Sequence, residues 1–128
     1  NFFDENFFLY LENTDLCLRQ KEENEKLFIF KNSQIKHLGS YTTKQDLSNN
    51  LEYFRNWHWM WSKFYYNKKH YGFILAFIKT SHNLVSAILK YFIYSILFNN
   101  HKKNIYKMRL FGLLNSIIGK KSFFRPKN

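Results

Sequence analysis

The chain has one cysteine, one proline and four glycines in 128 residues, and no acidic residue after Glu52. A lone Cys17 excludes an internal disulfide framework and a cysteine-rich zinc site, and reads as a small apolar residue on a helix. A reducing, cytoplasmic setting fits it. No low-complexity linker and no internal repeat divides the chain. Residues 73–98 are strongly apolar, yet Lys79 and Lys90 leave no uncharged run much beyond ten residues. A membrane-crossing helix needs about 20 apolar residues, and a central Lys costs roughly 2.5–3.5 kcal/mol. Lying in the membrane interface therefore fits 73–98 better than spanning; an ordinary buried helix fits as well. The chain does not start with Met, and no secretory signal fits its start, so an upstream part is expected.

What is present is aromatic and basic. Aromatic residues make up 21% of the chain and the apolar fraction is 45%, which argues against disorder. The net charge of +11 is unevenly placed. Residues 1–52 hold all nine acids and six Lys or Arg, whereas 53–128 hold fourteen Lys or Arg. Such asymmetry points to two tasks, a front that binds a cation or sugar and a rear that faces an anionic partner.

The front begins FDENFFLYLENTDLCLR (3–19), with four carboxylates among large apolar side chains. Residues 14–23 read as a short helix, capped by Asn13 or Thr14, with Asp15 in the first turn and Asn24 as a left-handed terminator. One turn apart on that helix, Asp15 and Arg19 are expected to pair. KLFIFK (26–31) and QIKHLG (34–39) read as two strands around a KNSQ turn. From Thr43 onward the pattern is helical, with Leu47, Leu51 and Phe54 at helical spacing. RNWHWMWSKFYYNKKHYG (55–72) follows, crowded with Trp, Tyr and basic residues. Lys79, Asn83, Ser86 and Lys90 draw one narrow polar stripe along 73–98. Ile105 to Ile118 repeats the pattern with a broader basic edge, and GKKSFFRPKN is irregular.

The acidic stretch, followed by a short strand pair ending in IKHLGS, resembles the C-terminal half of the catalytic domain of family 2 glycosyltransferases, above all the rhamnosyltransferase-like members that build bacterial surface polysaccharides. The resemblance covers residues 2–40; 55–72 also looks like the family's later helical region. It implies an α/β fold: the C-terminal part of a GT-A, Rossmann-like domain with a short strand pair over 1–42, then a mostly helical, membrane-associated region over 43–128. It also implies an inverting transfer of a sugar from a nucleotide-diphosphate donor to a saccharide or lipid-linked acceptor, with a divalent metal (Mg or Mn) offsetting the leaving group's charge. Glu12 and Asp15 match the acidic catalytic motif, and Asp4 and Glu5 match the leading acidic pair. Arg19 matches the arginine after the motif, and His37 the metal-associated histidine.

One position departs from the family. Asn13 stands where the Asp usually read as the base is found, so the base is Glu12 or Asp15, or activity is absent. No Asp-x-Asp occurs here, which places the main metal ligands outside this chain and predicts no measurable donor affinity for these residues alone. The basic, aromatic rear is expected to meet an anionic membrane on its cytoplasmic face, as a peripheral or monotopic element. The rival is a non-catalytic membrane-surface or single-stranded nucleic-acid module, whose bases would stack on the aromatics. No nucleic-acid-binding signature supports the nucleic-acid form of it.

Overall fold

The computed structural model describes residues 2–28, 31–34, 36 and 45–125. Three helices carry the fold: α1 (Glu12–Glu22), α2 (Gln45–Ile96) and α3 (Asn100–Ile117). α2 is not one rod. Gly72 has φ 81° and ψ 168°, a conformation open essentially to glycine alone, and it breaks α2 into a first arm (45–71) and a second arm (73–96). The arms fold back on each other. Lys63 donates to the Asn83 side chain across 20 residues of sequence, and the Phe64 and Phe73 rings meet edge to face.

A second reversal follows arm 2. Phe98 adopts a left-handed conformation, and Asn99 caps α3 by accepting from the Lys102 amide at 3.0 Å. α3 then runs antiparallel to arm 2, with Tyr94 stacked on Tyr106, and parallel to arm 1, with Arg109 on Asn56 and Leu113 against Met60. The result is an up-down-up three-helix arrangement. Its core is Met60, Phe64, Ala76 and Leu113, with Leu84 and Ile117 packed against it. Gly112 lets α3 approach closely, since a Cβ there would overlap the Trp57 carbonyl.

Arm 1 is the spine, covered on its remaining sides by both ends of the chain. The N-terminal segment lies along it through Phe7 on Tyr65, Phe8 on Phe54 and His58, and Tyr10 on Trp59. The C-terminal tail returns to it through Phe123 and Phe124 on Trp57, while Trp61 donates to the Lys120 carbonyl at 2.9 Å. The irregular tail expected from GKKSFFRPKN is what the described residues show.

The expected α/β fold is not found: the described residues form helices and no strand. Lys26, Leu27 and Phe28 are exposed coil, and Lys31 and Asn32 form a turn. A strand needs a neighbour to pair its N–H and C=O groups, and the described residues offer none, so β-forming composition alone produces no ladder here. Ile29, Phe30, Ile35 and 37–44 lie outside the described residues. α1 starts at Glu12 rather than Thr14. Its cap position is Leu11, left-handed at φ 67° and without a side-chain cap, so neither Asn13 nor Thr14 plays that role. Asn24, at φ 60°, closes α1 as anticipated, with its amide on the Lys21 carbonyl and that of Glu25 on Gln20.

Candidate functional site

The acidic N-terminal stretch folds onto arm 1 through charge. Asp4 opens a tight turn, its Oδ1 accepting from the Asn6 amide at 3.0 Å and the Asn6 side chain at 2.8 Å. Its Oδ2 accepts from the Tyr65 hydroxyl at 3.1 Å and from Lys69 Nζ at 2.8 Å. Tyr65 and Lys69 are one helical turn apart, so one face of arm 1 presents both.

Asp15 lies deeper and is fully buried. Arg19 Nε donates to its Oδ2 at 3.0 Å, Lys69 reaches both oxygens, at 2.7 and 2.9 Å, and His70 Nε2 contacts Oδ1 at 2.8 Å. Lys69 thus bridges Asp4 and Asp15. Arg19 also donates to the Phe2 carbonyl at 2.8 Å, which holds the chain's first residues over the site.

Burial pushes both carboxyls up, and the hydrogen bonds and positive charge more than reverse it. Asp4 falls from 3.8 to about 2, through Lys69, Asn6 and Tyr65. Asp15 is lowered by Lys69, Arg19 and His70. Burial likewise opposes the charge on Lys69, but the two carboxylates win and raise it. Burial and Asp4 push the Tyr65 hydroxyl up to about 12. At neutral pH Asp4, Asp15 and Lys69 are therefore charged, beside a neutral phenol donor.

Between this cluster and the C-terminal tail lies a cleft of about 660 Å³. Asp4, Glu5 and Arg19 line one side, with Lys69 and the rings of Phe3 and Phe8; Lys121, Ser122 and Arg125 close the other. The tail is held by His58, buried on arm 1. Its Nε2 meets the Phe124 carbonyl at 2.8 Å, an acceptor only, so that nitrogen carries the proton and Nδ1 accepts from the Ser122 hydroxyl at 3.0 Å. Burial keeps His58 neutral by lowering its pKa, against the pull of the Phe124 carbonyl and with help from Arg125. Arg125 lies 3.6 Å from the Phe8 ring centre and so bridges tail and N-terminal segment.

The structure brings Asp4, Glu5 and Arg19 to the cleft and sets Asp15 behind them. Glu12 stands in the first turn of α1 and does not line the cleft; its Oε2 is buried without a hydrogen-bond partner. His37 lies outside the described residues. Sequence reading missed Tyr65, Lys69, His70, His58, Ser122, Lys121 and Arg125 as members of the site. The four-residue spacing of Tyr65 and Lys69 was the available signal, but nothing local says which acids they would meet.

The metal implied by the resemblance has its main ligands placed outside this chain, and His37, the one matched to it here, lies outside the described residues. Among them no three His, Cys, Asp or Glu side chains gather as a ligand set. The oxygens of Asp15 are already taken by Arg19, Lys69 and His70. What the cleft suits is a ligand with many hydroxyls and some negative charge: carboxylates accept from hydroxyls, ammonium and guanidinium groups donate, and rings offer a flat apolar bed. Comparison with protein-family models, with characterised proteins and with solved structures returned no match.

Proposed function

We propose that this chain supplies a sugar-binding cleft of an inverting transferase, one that moves a sugar from a nucleotide-diphosphate donor to a saccharide or lipid-linked acceptor. One observation carries the reading. The two stretches that resemble such transferases, 2–40 and 55–72, meet through Lys69 on Asp4 and Asp15 beside a cleft of about 660 Å³.

In this reading Asp4, Glu5 and Arg19 hold sugar hydroxyls. Asp15 is a positioning residue: it keeps Lys69 and Arg19 in place, and a lowered carboxyl saturated with donors is a poor base. Of the two carboxylates matched to the catalytic motif, Glu12 has the oxygen without a donor. Glu12 is therefore the candidate base of the two. Because its free oxygen is buried away from the cleft, the first turn of α1 has to open for the attacking hydroxyl to reach it. The donor's nucleotide and metal are held by elements other than the described residues.

Amide chemical shifts test the binding half. Neutral and anionic oligosaccharides should shift Asp4–Asn6 and Lys121–Arg125, and Glu5→Gln should weaken the response about tenfold, the cost of one charged hydrogen bond. Nucleotide sugars alone should show no micromolar affinity. Saccharides that leave the cleft amides unmoved, with oligonucleotides bound even at high salt, would point instead to a nucleic-acid module. Labelled-sugar transfer by a protein carrying this segment tests the chemical half: Glu12→Gln should lower the rate about 10²–10⁴-fold if Glu12 is the base.

A further inference from the structure

Arm 2 is built inside out. The residues it buries in the bundle are small, Ala76, Thr80 and Ala87, with Leu84 half-buried beside them. Those it turns to the outside are large: Ile74, Ile78, Val85, Leu89, Phe92, Ile93 and Ile96 recur at helical spacing and are all exposed, Ile74 at 74% and Ile96 at 75%. The stripe continues into Leu97 and Phe98. Over 24 residues at 1.5 Å each it is about 36 Å long. A shallow apolar groove runs along it, lined by Val85, Leu89 and Ile93 with Lys90 at its edge. α3 carries a shorter stripe of its own, Phe111, Leu114 and Ile118. An apolar face of this extent marks an interaction surface.

We propose that this face docks on an anionic lipid bilayer, with arm 2 lying along the surface rather than crossing it. Charge selects the occupant. Every charged residue from 53 onward is basic, fourteen Lys or Arg with no acid among them, so a second copy would set like charge against like. Anionic headgroups match it. The basic residues are also placed as interfacial anchors. Lys79 Nζ sits 3.5 Å from the Tyr71 ring centre, Lys90 5.3 Å from that of Tyr106, and Lys102 5.2 Å from that of Tyr94. Ammonium groups over tyrosines combine an apolar body with a wet tip, as the headgroup layer requires.

The bundle decides against crossing. Arm 2 is pinned to arm 1 by Lys63 on Asn83 and to α3 by Tyr94 on Tyr106. Carrying arm 2 through the hydrocarbon would take Lys63, Lys79, Lys90 and Arg109 along. Lying flat buries the stripe and leaves these cations at the surface.

Flotation with phosphatidylcholine vesicles, with and without phosphatidylglycerol, tests the proposal; it does not depend on the sugar-binding reading, so Glu5→Gln should float like the parent. The chain should float with the anionic vesicles and much less with the neutral ones. Ile78→Ser and Leu89→Ser should each weaken partition on the order of tenfold, with unchanged circular dichroism because neither side chain is buried. Lys79→Ala or Lys90→Ala should weaken it about fivefold. Spin labels at 78, 89 and 96 should report one common depth. A chain that stays at the bottom of the gradient, whether monomer or dimer by sedimentation, overturns the proposal. Labels spread across both leaflets overturn the surface orientation.

Discussion

Arm 1 and arm 2 belong to one helical stretch, are of similar length, and are both rich in aromatic and aliphatic residues, yet their environments are opposite. Arm 1 buries Trp57, Met60, Trp61 and Phe64; arm 2 buries alanine and threonine and shows its large side chains to the outside. The cause is how many partners each has. Arm 1 meets arm 2, α3, the N-terminal segment and the tail. Among the described residues, arm 2 has the bundle on one side only. Burial of a residue is thus a property of the neighbours its helix acquires, and two adjoining segments of similar composition can end up as core and as surface.

Truncation sharpens this contrast most. Phe64→Ala should cost about 3–5 kcal/mol in chemical denaturation, because Phe64 is fully buried against Met60, Ala76 and Leu113. Phe92→Ala, the same change on arm 2, should stay within about 0.5 kcal/mol. Equal losses at the two sites would erase the distinction between the arms.

Next comes the charge cluster that fastens the N-terminal segment to arm 1. Asp15→Asn leaves Lys69, Arg19 and His70 facing a neutral amide and should cost about 3 kcal/mol. Lys69→Met in the same chain should recover part of the loss, which a merely steric effect of the amide would not allow.

Acid should loosen the ends before it unfolds the bundle. His58 has a pKa below its usual 6.5, so its contribution is complete above 6.5 and is lost as pH falls through the lowered value. The first signal on acidification is therefore release of the tail from Trp57, read as a change in tryptophan fluorescence. Asp4, lowered from 3.8 to about 2, contributes roughly 2 kcal/mol above pH 3.8 that disappears as pH falls toward 2. Lys69 works in the opposite sense: its stabilisation holds below the ordinary 10.5 and fades as pH rises through the raised value.

A last effect concerns the hinge between the arms. Gly72→Ala meets no neighbouring atom, so its cost is the strain of that backbone conformation alone, about 1–3 kcal/mol. A stabilising Gly72→Ala, read as a rise in Tm, would mean that the arms form a straight helix instead of a hairpin.

Local features were legible. Asp15 and Arg19 pair because four residues span one helical turn, and Asn24 ends α1 because its side chain tolerates a left-handed backbone. The helical character of 73–98 was also readable from spacing. The strands were not, because β-structure depends on a partner strand, and alternation over five or six residues does not supply one. The site was legible by half. Asp4, Glu5 and Arg19 were marked by their own motif, whereas Lys69, Ser122 and Arg125 reach them across 50 to more than 100 residues of chain.

By itself the sequence determined the basic rear, the helical segments and the acidic front, since composition and short-range spacing act within a turn or two. Only the tertiary structure decided which cations the acids meet and which face of arm 2 is left uncovered. Both follow from the reversals at Gly72 and Phe98, which set distant residues side by side and leave one large apolar face uncovered by the described residues.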